Sequence, residues 1–266
     1  MKILFIGDIF GTLGIKAIEK ELPLIKKQYN IDMTIANAEN VSNCRGLNVP
    51  DYHKLVKLGI DFFTFGNHTW KQKDYDKMLS FNNVVRPLNI DSNCNIGKFG
   101  VGTLVVNFQN KKIRITNILG KSVYFQQNEW INNPFVCLEN VLVEESKQKS
   151  DIHIVDYHAE TTSEKNAIIR HFNGKVDAII GTHTHVQTND AKIVNNTAFI
   201  TDVGMTGPTD GIIGADGKEI IEMFFEKKTF FKLQEAKGKY QFCAVVLDFD
   251  QNNNIKAIDK IFIFEK

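Results

Sequence analysis

Five short strings in this chain combine residues that ligate metals or move protons. They are Gly7-Asp8, Ala38-Glu39-Asn40, Gly66-Asn67-His68, Asp156-Tyr157-His158-Ala159-Glu160 and Gly181-Thr182-His183-Thr184-His185. Together they offer carboxylate and amide oxygens and imidazole nitrogens, the donors a divalent transition metal takes, with none of the thiolates that close a structural zinc site. Singly, each is ordinary. Asp8 suits a helix cap or turn, Asn67 a turn, His68 a half-exposed surface position and His158 a hydrogen-bonded core position. His183 and His185 are more specific, because residues i and i+2 of extended chain point the same way and can face one pocket. The joint occurrence of all five strings is the signal. His53 in a first helical turn, His153 inside a strand and His171 at a helix end, where a cation suits the dipole, fall outside it and read as structural.

Each string follows an apolar run that reads as a strand. Lys2 to Gly7 is almost continuously apolar, as in a strand buried on both faces of a parallel sheet. Further strands are expected over 33–36, 62–65, 152–156 and 178–180. Helices are expected over 13–29, where Ile15, Ile18, Leu22 and Ile25 recur at three-to-four spacing, and over 71–79 and 163–172, with another opened by Pro50. Segments 100–107 and 112–118 alternate like a hairpin. The stretch 122–134 reads as loop. The end is β-rich, with strands over 198–201, 242–248 and 255–264 and one helix near 219–225. In an α/β sheet, ligands bind beyond the carboxyl ends of the strands, which is where the five strings fall. Residues 1–266 are expected to form a single domain of two packed sheets with helices outside.

The composition, 43% hydrophobic and 24% charged in 266 residues, excludes disordered, collagenous and disulfide-framework classes. A formal charge of +1 gives no global footprint for nucleic acid or an anionic membrane. No apolar run approaches a membrane span, and the first stops at Asp8, too soon for a signal peptide. The four scattered cysteines fit reduced thiols of a cytoplasmic protein. Competing motifs fail: Gly7-x-x-x-Gly11-x-x-Gly14 is not a dinucleotide fingerprint, and the stretch 211–218 is one residue too long for a P-loop. There is no G-x-S-x-G elbow and no H-E-x-x-H helix. The glycine-rich stretch 204–217 reads as a turn-rich cover near the site.

The order of the strings resembles the calcineurin-like metallophosphoesterases. Asn37-Ala38-Glu39-Asn40, Gly66-Asn67-His68-Thr69-Trp70, Tyr157-His158-Ala159-Glu160, the run from Gly181 to Thr188 and Asp202-Val203-Gly204-Met205-Thr206-Gly207-Pro208 are similar to its YmdB-type branch. The resemblance implies an αββα sandwich, two mixed sheets flanked by helices, holding two transition-metal ions per chain. Iron or manganese is expected first, and zinc also suits the donors. One ion would take Asp8, Glu39, Asn40 and His185, and the other Glu39, Asn67, His158 and His183. Phe10 stands where the wider superfamily has His, with Asn40 as the replacement oxygen. Cys44 and Leu119 depart from the branch's common Gly and Gln.

A bridging carboxylate at Glu39 also makes electrostatic sense, since a shared anion offsets repulsion between two nearby cations. The resemblance implies hydrolysis of 2′,3′-cyclic or 3′,5′-cyclic nucleotides by a hydroxide held between the ions. His68, adjacent to Asn67 but not needed as a ligand, takes the role of general acid to the leaving oxygen. Glu160 and Asp202 are candidates to orient the histidines, and Arg45 reads as a solvated surface residue. The expected partner is a small cyclic nucleotide or other phosphodiester, without membrane or direct nucleic-acid binding. A homo-oligomer stays open. The competing readings are a phosphomonoesterase, a nucleotide-sensing regulator and an RNA-processing nuclease or an accessory protein of one.

Overall fold

The computed structural model describes residues 1–125, 130–147, 149–230 and 232–266. Two mixed sheets face one another. The first contains β1 (Lys2–Ile6), β2 (Asp8–Ile9), β3 (Met33–Asn37), β4 (Phe62–Thr64), β5 (Val84–Val85), β12 (Met205–Pro208), β13 (Tyr240–Phe249) and β14 (Ile255–Phe264). Its order is β2-β12-β13-β1-β3-β4-β5, with β14 on the other edge of β13. The second contains β6 (Thr103–Phe108), β7 (Lys111–Leu119), β8 (Ile152–His158), β9 (Ala178–Thr182), β10 (Lys192–Val194) and β11 (Thr197–Ile200). Its order is β10-β11-β9-β8-β7-β6, parallel in the middle and antiparallel at both edges. The helices are α1 (Gly11–Tyr29), α2 (Val49–Lys57), α3 (Tyr75–Leu79), α4 (Pro134–Lys147), α5 (Thr162–Phe172) and α6 (Gly217–Phe224).

Alternation along the strands builds four layers. Ile3 and Phe5 of β1 meet Ile152 and Ile154 of β8 in a core between the sheets, while Leu4 and Ile6 pack under Ile15, Ile18 and Leu22 of α1. Val155 and Tyr157 of β8 pack under Leu138 of α4 and Ile168 of α5. Successive side chains of a strand point to opposite faces, so Ile152, Ile154, Asp156 and His158 share the inter-sheet face. That face turns from apolar to polar as β8 reaches its carboxyl end. This is the expected αββα sandwich.

Local chemistry sets the helix starts. The Asn48 side chain accepts from Asp51 N at 2.8 Å at the start of α2, the usual cap of an N-terminus. Phe10 cannot cap α1, and Glu235 does so from a distant segment, accepting from Leu13 N at 2.6 Å. The helix expected over 71–79 is confined to Tyr75–Leu79, after a run of turns. Part of the expected loop over 122–134, residues 126–129, lies outside the described residues. Pro134 opens α4, which the sequence reading did not anticipate; Val136 and Val143 are exposed beside buried Leu138 and Val141, so apolar residues on two faces blur its period. Among the described residues, no helix is long and apolar enough to cross a membrane.

Candidate metal centre

The five strings meet at the carboxyl edge of both sheets. Asp8 is β2's first residue, buried and hydrogen-bonded through Oδ2 to His183 N at 3.1 Å. The same oxygen lies 3.2 Å from His185 Nε2. Gly7 permits this turn, because a Cβ there would sit 2.0 Å from Gly204 O. Glu39 leaves β3 and is buried, with Oε1 3.1 Å from His158 Nε2 and Oε2 accepting from His68 N at 2.9 Å. His158 closes β8, and its Nε2 also lies 3.2 Å from Asn67 Oδ1 and 2.9 Å from His183 Nδ1. One donor atom each from Glu39, His158 and His183 falls within 4.8 Å of the others. All of Asp8, Glu39, Asn40, Asn67, His68, His158, His183 and His185 are thus joined in one network.

Each imidazole has one nitrogen fixed and the other turned inward. His158 Nδ1 meets Thr182 Oγ1 at 2.9 Å, and that hydroxyl donates to Asp156 Oδ1 at 2.6 Å. His183 Nε2 lies 2.7 Å from Glu160 Oε2. His185 Nδ1 donates to the Ile213 carbonyl at 2.8 Å, which turns Nε2 toward Asp8. Outer partners of this kind set the tautomer of a ligating histidine. Glu160 therefore touches a histidine as expected. Asp202 does not; it accepts from Thr184 N at 2.9 Å and from Lys165 Nζ at 2.7 Å, gripping the loop between the two histidines. That loop is not extended chain: His183 and His185 have φ of 101° and 65°. A bend in left-handed backbone aims the pair, a conformation that costs energy and concentrates at functional sites.

Asn40 departs from its expected orientation. Its Oδ1 meets His68 Nδ1 at 2.7 Å, while Nδ2 faces His185 Nε2 at 3.1 Å. An ion between Asp8 and His185 would receive this oxygen only after the amide turns over. Phe10, in place of the superfamily histidine, packs edge-on to His185 with centroids 5.7 Å apart.

The protein's own charges are tightly coupled here. Burial would raise the Glu39 carboxyl, but His158, then His68 and His183, outweigh it and hold the group below the usual carboxylate range. Burial would lower His158, but the Glu39 carboxylate wins and pushes it up to about 9. Burial, then the neighbouring His158, pushes His183 down to about 3. Burial also lowers His68, against the pull of Glu39.

The residues fit metal ions on the geometry alone. Asp8 Oδ1 is buried with no hydrogen-bond partner among the described residues, which is costly for a carboxylate oxygen unless a cation meets it. His158 Nε2 and His183 Nδ1 face one another and a carboxylate, three donor atoms of the kind a transition metal takes, at one point. Gly66 keeps the space open, since a Cβ there would lie 2.2 Å from the His158 ring. Three contributors carried no usable sequence signal. Asp156 and Thr182 look like strand residues until the sheet pairs β8 with β9, and Ile213 acts through its backbone.

A profile of the family described as YmdB-like protein matches residues 4–261. A Mycoplasma genitalium relative, named only provisionally as a phosphatase/phosphodiesterase, is 46% identical over 240 residues, covering 89% of this chain and 84% of its own. The Bacillus subtilis 2′,3′-cyclic-nucleotide 2′-phosphodiesterase is 38% identical over 266 residues, covering 99% of this chain and 97% of its own. A crystal structure from Mycoplasma pneumoniae, described as a novel phosphatase, superposes with a TM-score of 0.94 at 39% identity, covering 99% of this chain and 93% of the other.

Proposed function

The chain belongs to the YmdB-like protein family, and from that membership and the buried donor cluster we propose that it is a metal-dependent phosphodiesterase acting on 2′,3′-cyclic or 3′,5′-cyclic nucleotides. The observation that carries the reading is the convergence of Glu39, His158 and His183 donor atoms within 4.8 Å, beside an Asp8 oxygen without a partner among the described residues. In this reading Asp8, Glu39, Asn40 and His185 hold one ion, Asn67, His158 and His183 hold the other with Glu39 shared, and residues 1–266 act as one domain. Iron or manganese suits these donors first, zinc next. When bound, such ions supply Lewis-acid polarisation of the phosphoryl oxygens and activate water at neutral pH.

The chain's own residues supply the rest. His68 Nδ1 lies 2.7 Å from the Asn40 side-chain amide, whose Nδ2 would face it once the oxygen turns to the ion, so Nε2 is the nitrogen that hands a proton to the departing ribose oxygen. Ribose alkoxides leave poorly without one. Thr182, Glu160 and Ile213 keep the three ligand histidines from turning as substrate enters. With Cys44, Cys94, Cys137 and Cys243 all unpaired, a reducing compartment such as the cytoplasm suits the chain.

A second reading, a phosphomonoesterase with the same ligands, is favoured by the phosphatase in the relatives' names. One experiment separates them. Protein purified without added metal is analysed for bound ions and then offered cyclic nucleotides and nucleoside monophosphates. Transition metal together with ring opening of a cyclic nucleotide is expected. Release of phosphate from monoesters alone would establish the second reading, and turnover unaffected by a chelator that strips all metal would overturn both.

A further inference from the structure

Tyr124 stands against the donor cluster with its ring uncovered. Its carbonyl accepts from Asn67 Nδ2 at 3.4 Å, and Asn67 Oδ1 in turn lies 3.2 Å from His158 Nε2. The chain that carries the ring is fixed. Lys121 N and Ser122 N donate to Glu164 of α5 at 2.7 and 3.1 Å, and the Ser122 hydroxyl bonds the same carboxylate. Val123 and Phe125, on either side of Tyr124, are buried in a cluster with Ile90, Leu119 and Ile131. Phe125 also meets Trp70 edge-on, with centroids 5.8 Å apart. Tyr124 between them is 81% exposed. Phe224, Phe225 and Phe230 of the 209–239 arm between β12 and β13, and Phe262 and Phe264 of β14, are exposed as well. Among the described residues, Tyr124 is the one exposed Phe, Tyr or Trp that bonds a member of the donor cluster.

Resting on the phosphodiesterase reading above, we propose that the Tyr124 ring stacks on the nucleobase of the substrate and makes the site prefer nucleotides to other cyclic phosphodiesters. The phosphate of a cyclic nucleotide must reach the donor cluster, and its base lies one ribose ring away. Tyr124 is one hydrogen bond from Asn67, so its ring stands at the margin of the cluster, where that base falls. Every base has a π-face, so one tyrosine ring serves purines and pyrimidines alike. Such stacking strengthens binding by ~5–100-fold. A ring on a fixed strap loses little freedom when a base covers it, which leaves more of the contact as affinity. The buried neighbours Val123 and Phe125 do not extend the ring into the wide apolar patch that a protein partner covers. A single flat ligand ring matches it. The phenol hydroxyl has no part in stacking, so phenylalanine serves equally at this position.

Two substrates that share the ribose and the cyclic phosphate and differ only in the base test this: adenosine 2′,3′-cyclic phosphate and methyl riboside 2′,3′-cyclic phosphate. In Tyr124→Ala, the kcat/KM ratio of the adenosine over the methyl riboside substrate should fall ~5–100-fold, with the loss residing in KM. Tyr124→Phe should keep the wild-type ratio. A merely structural role, in which the variant lets Asn67 shift, would slow both substrates alike and lower the metal-to-protein ratio. That result overturns the proposal, as does an unchanged ratio in Tyr124→Ala. Should the wild type open neither ring, the phosphodiesterase reading fails by itself, and titration calorimetry with adenosine 3′-monophosphate and methyl riboside 3-phosphate decides the stacking. A preference for the adenosine compound that Tyr124→Ala abolishes upholds Tyr124 as the platform for the base. The same preference in wild type and variant, or none in either, overturns it.

Discussion

The molecule buries histidine against carboxylate at both ends of its second sheet, and the two ends solve the problem differently. At the amino end, beside a cavity of about 970 Å³, His153 Nδ1 pairs with Glu145 Oε2 at 2.8 Å and its Nε2 meets Thr116 Oγ1 at 2.9 Å. Glu145 is also held by Arg114 Nε at 3.5 Å and by the Ser150 hydroxyl. There one carboxylate faces both an imidazole and a guanidinium. At the carboxyl end, donor atoms of Glu39, His158 and His183 lie within 4.8 Å of one another, next to Asp8 and His185. The first arrangement carries its own fixed cation, Arg114, whereas the second gathers a carboxylate and two imidazoles that could hold a metal ion. Residue type and burial are alike at both ends. What differs is the company: a guanidinium stands beside the carboxylate at the first end, and imidazoles alone at the second.

The sharpest way to break this contrast is to remove one histidine from each end. His68→Ala should keep its metal and fold, and should lose ~10²–10⁴-fold in turnover of a cyclic nucleotide, the usual contribution of a positioned acid. The loss should be far smaller for a nitrophenyl diester, whose leaving group departs unprotonated. Equal losses on both substrates would mean that His68 binds phosphate. His153→Ala should leave turnover of the folded protein unchanged and show only as a lower midpoint in urea.

A smaller effect concerns the support beneath the histidine loop. Lys165 and Asp202 are both fully buried and lie 2.7 Å apart. Lys165→Met leaves Asp202 without its cation, and should cost ~3–5 kcal/mol of stability by urea unfolding. Asp202 grips Thr184, so metal affinity should fall in the same variant.

The smallest effect is a pH dependence next to the site. Burial would raise Glu164, but the Ser122 hydroxyl and the Lys121 and Ser122 amides outweigh it and lower the carboxyl from its ordinary 4.5. A carboxyl lowered in the native state stabilises above its unfolded value and loses that contribution as pH falls. Glu164→Gln should therefore melt below wild type at neutral pH, with the gap closing as pH drops below about 4.5. A gap that stays constant down to acid pH would show that the carboxylate charge plays no part.

Much of this was legible before the fold. Short apolar runs ending in Asp, Glu-Asn, Asn-His, His and His-x-His mark strands whose ends share a carboxyl edge within each parallel sheet, and the packing of the two sheets brings the two edges together. All eight residues so marked do meet. What escaped the sequence depends on pairing across the sheets or on backbone. Thr182 matters only because β9 lies beside β8, and the Ile213 carbonyl belongs to an arm with no pattern of its own. The bend at His183 and His185 was hidden as well, since histidine gives no cue to left-handed backbone. Asn40 does reach the cluster, but its amide direction depends on His68, a partner that neither residue's own position in the chain reveals.

The central claim is that Glu39 serves two ions while Glu145, its counterpart at the other end, serves none. Metal-to-protein ratios of folded Glu39→Ala, Asn40→Ala and Glu145→Ala, measured beside wild type by elemental analysis, test it directly. Glu39→Ala should lose both ions, Asn40→Ala should chiefly weaken one, and Glu145→Ala should keep the wild-type ratio at lower stability. A Glu39→Ala protein that still holds two ions per chain would contradict the account.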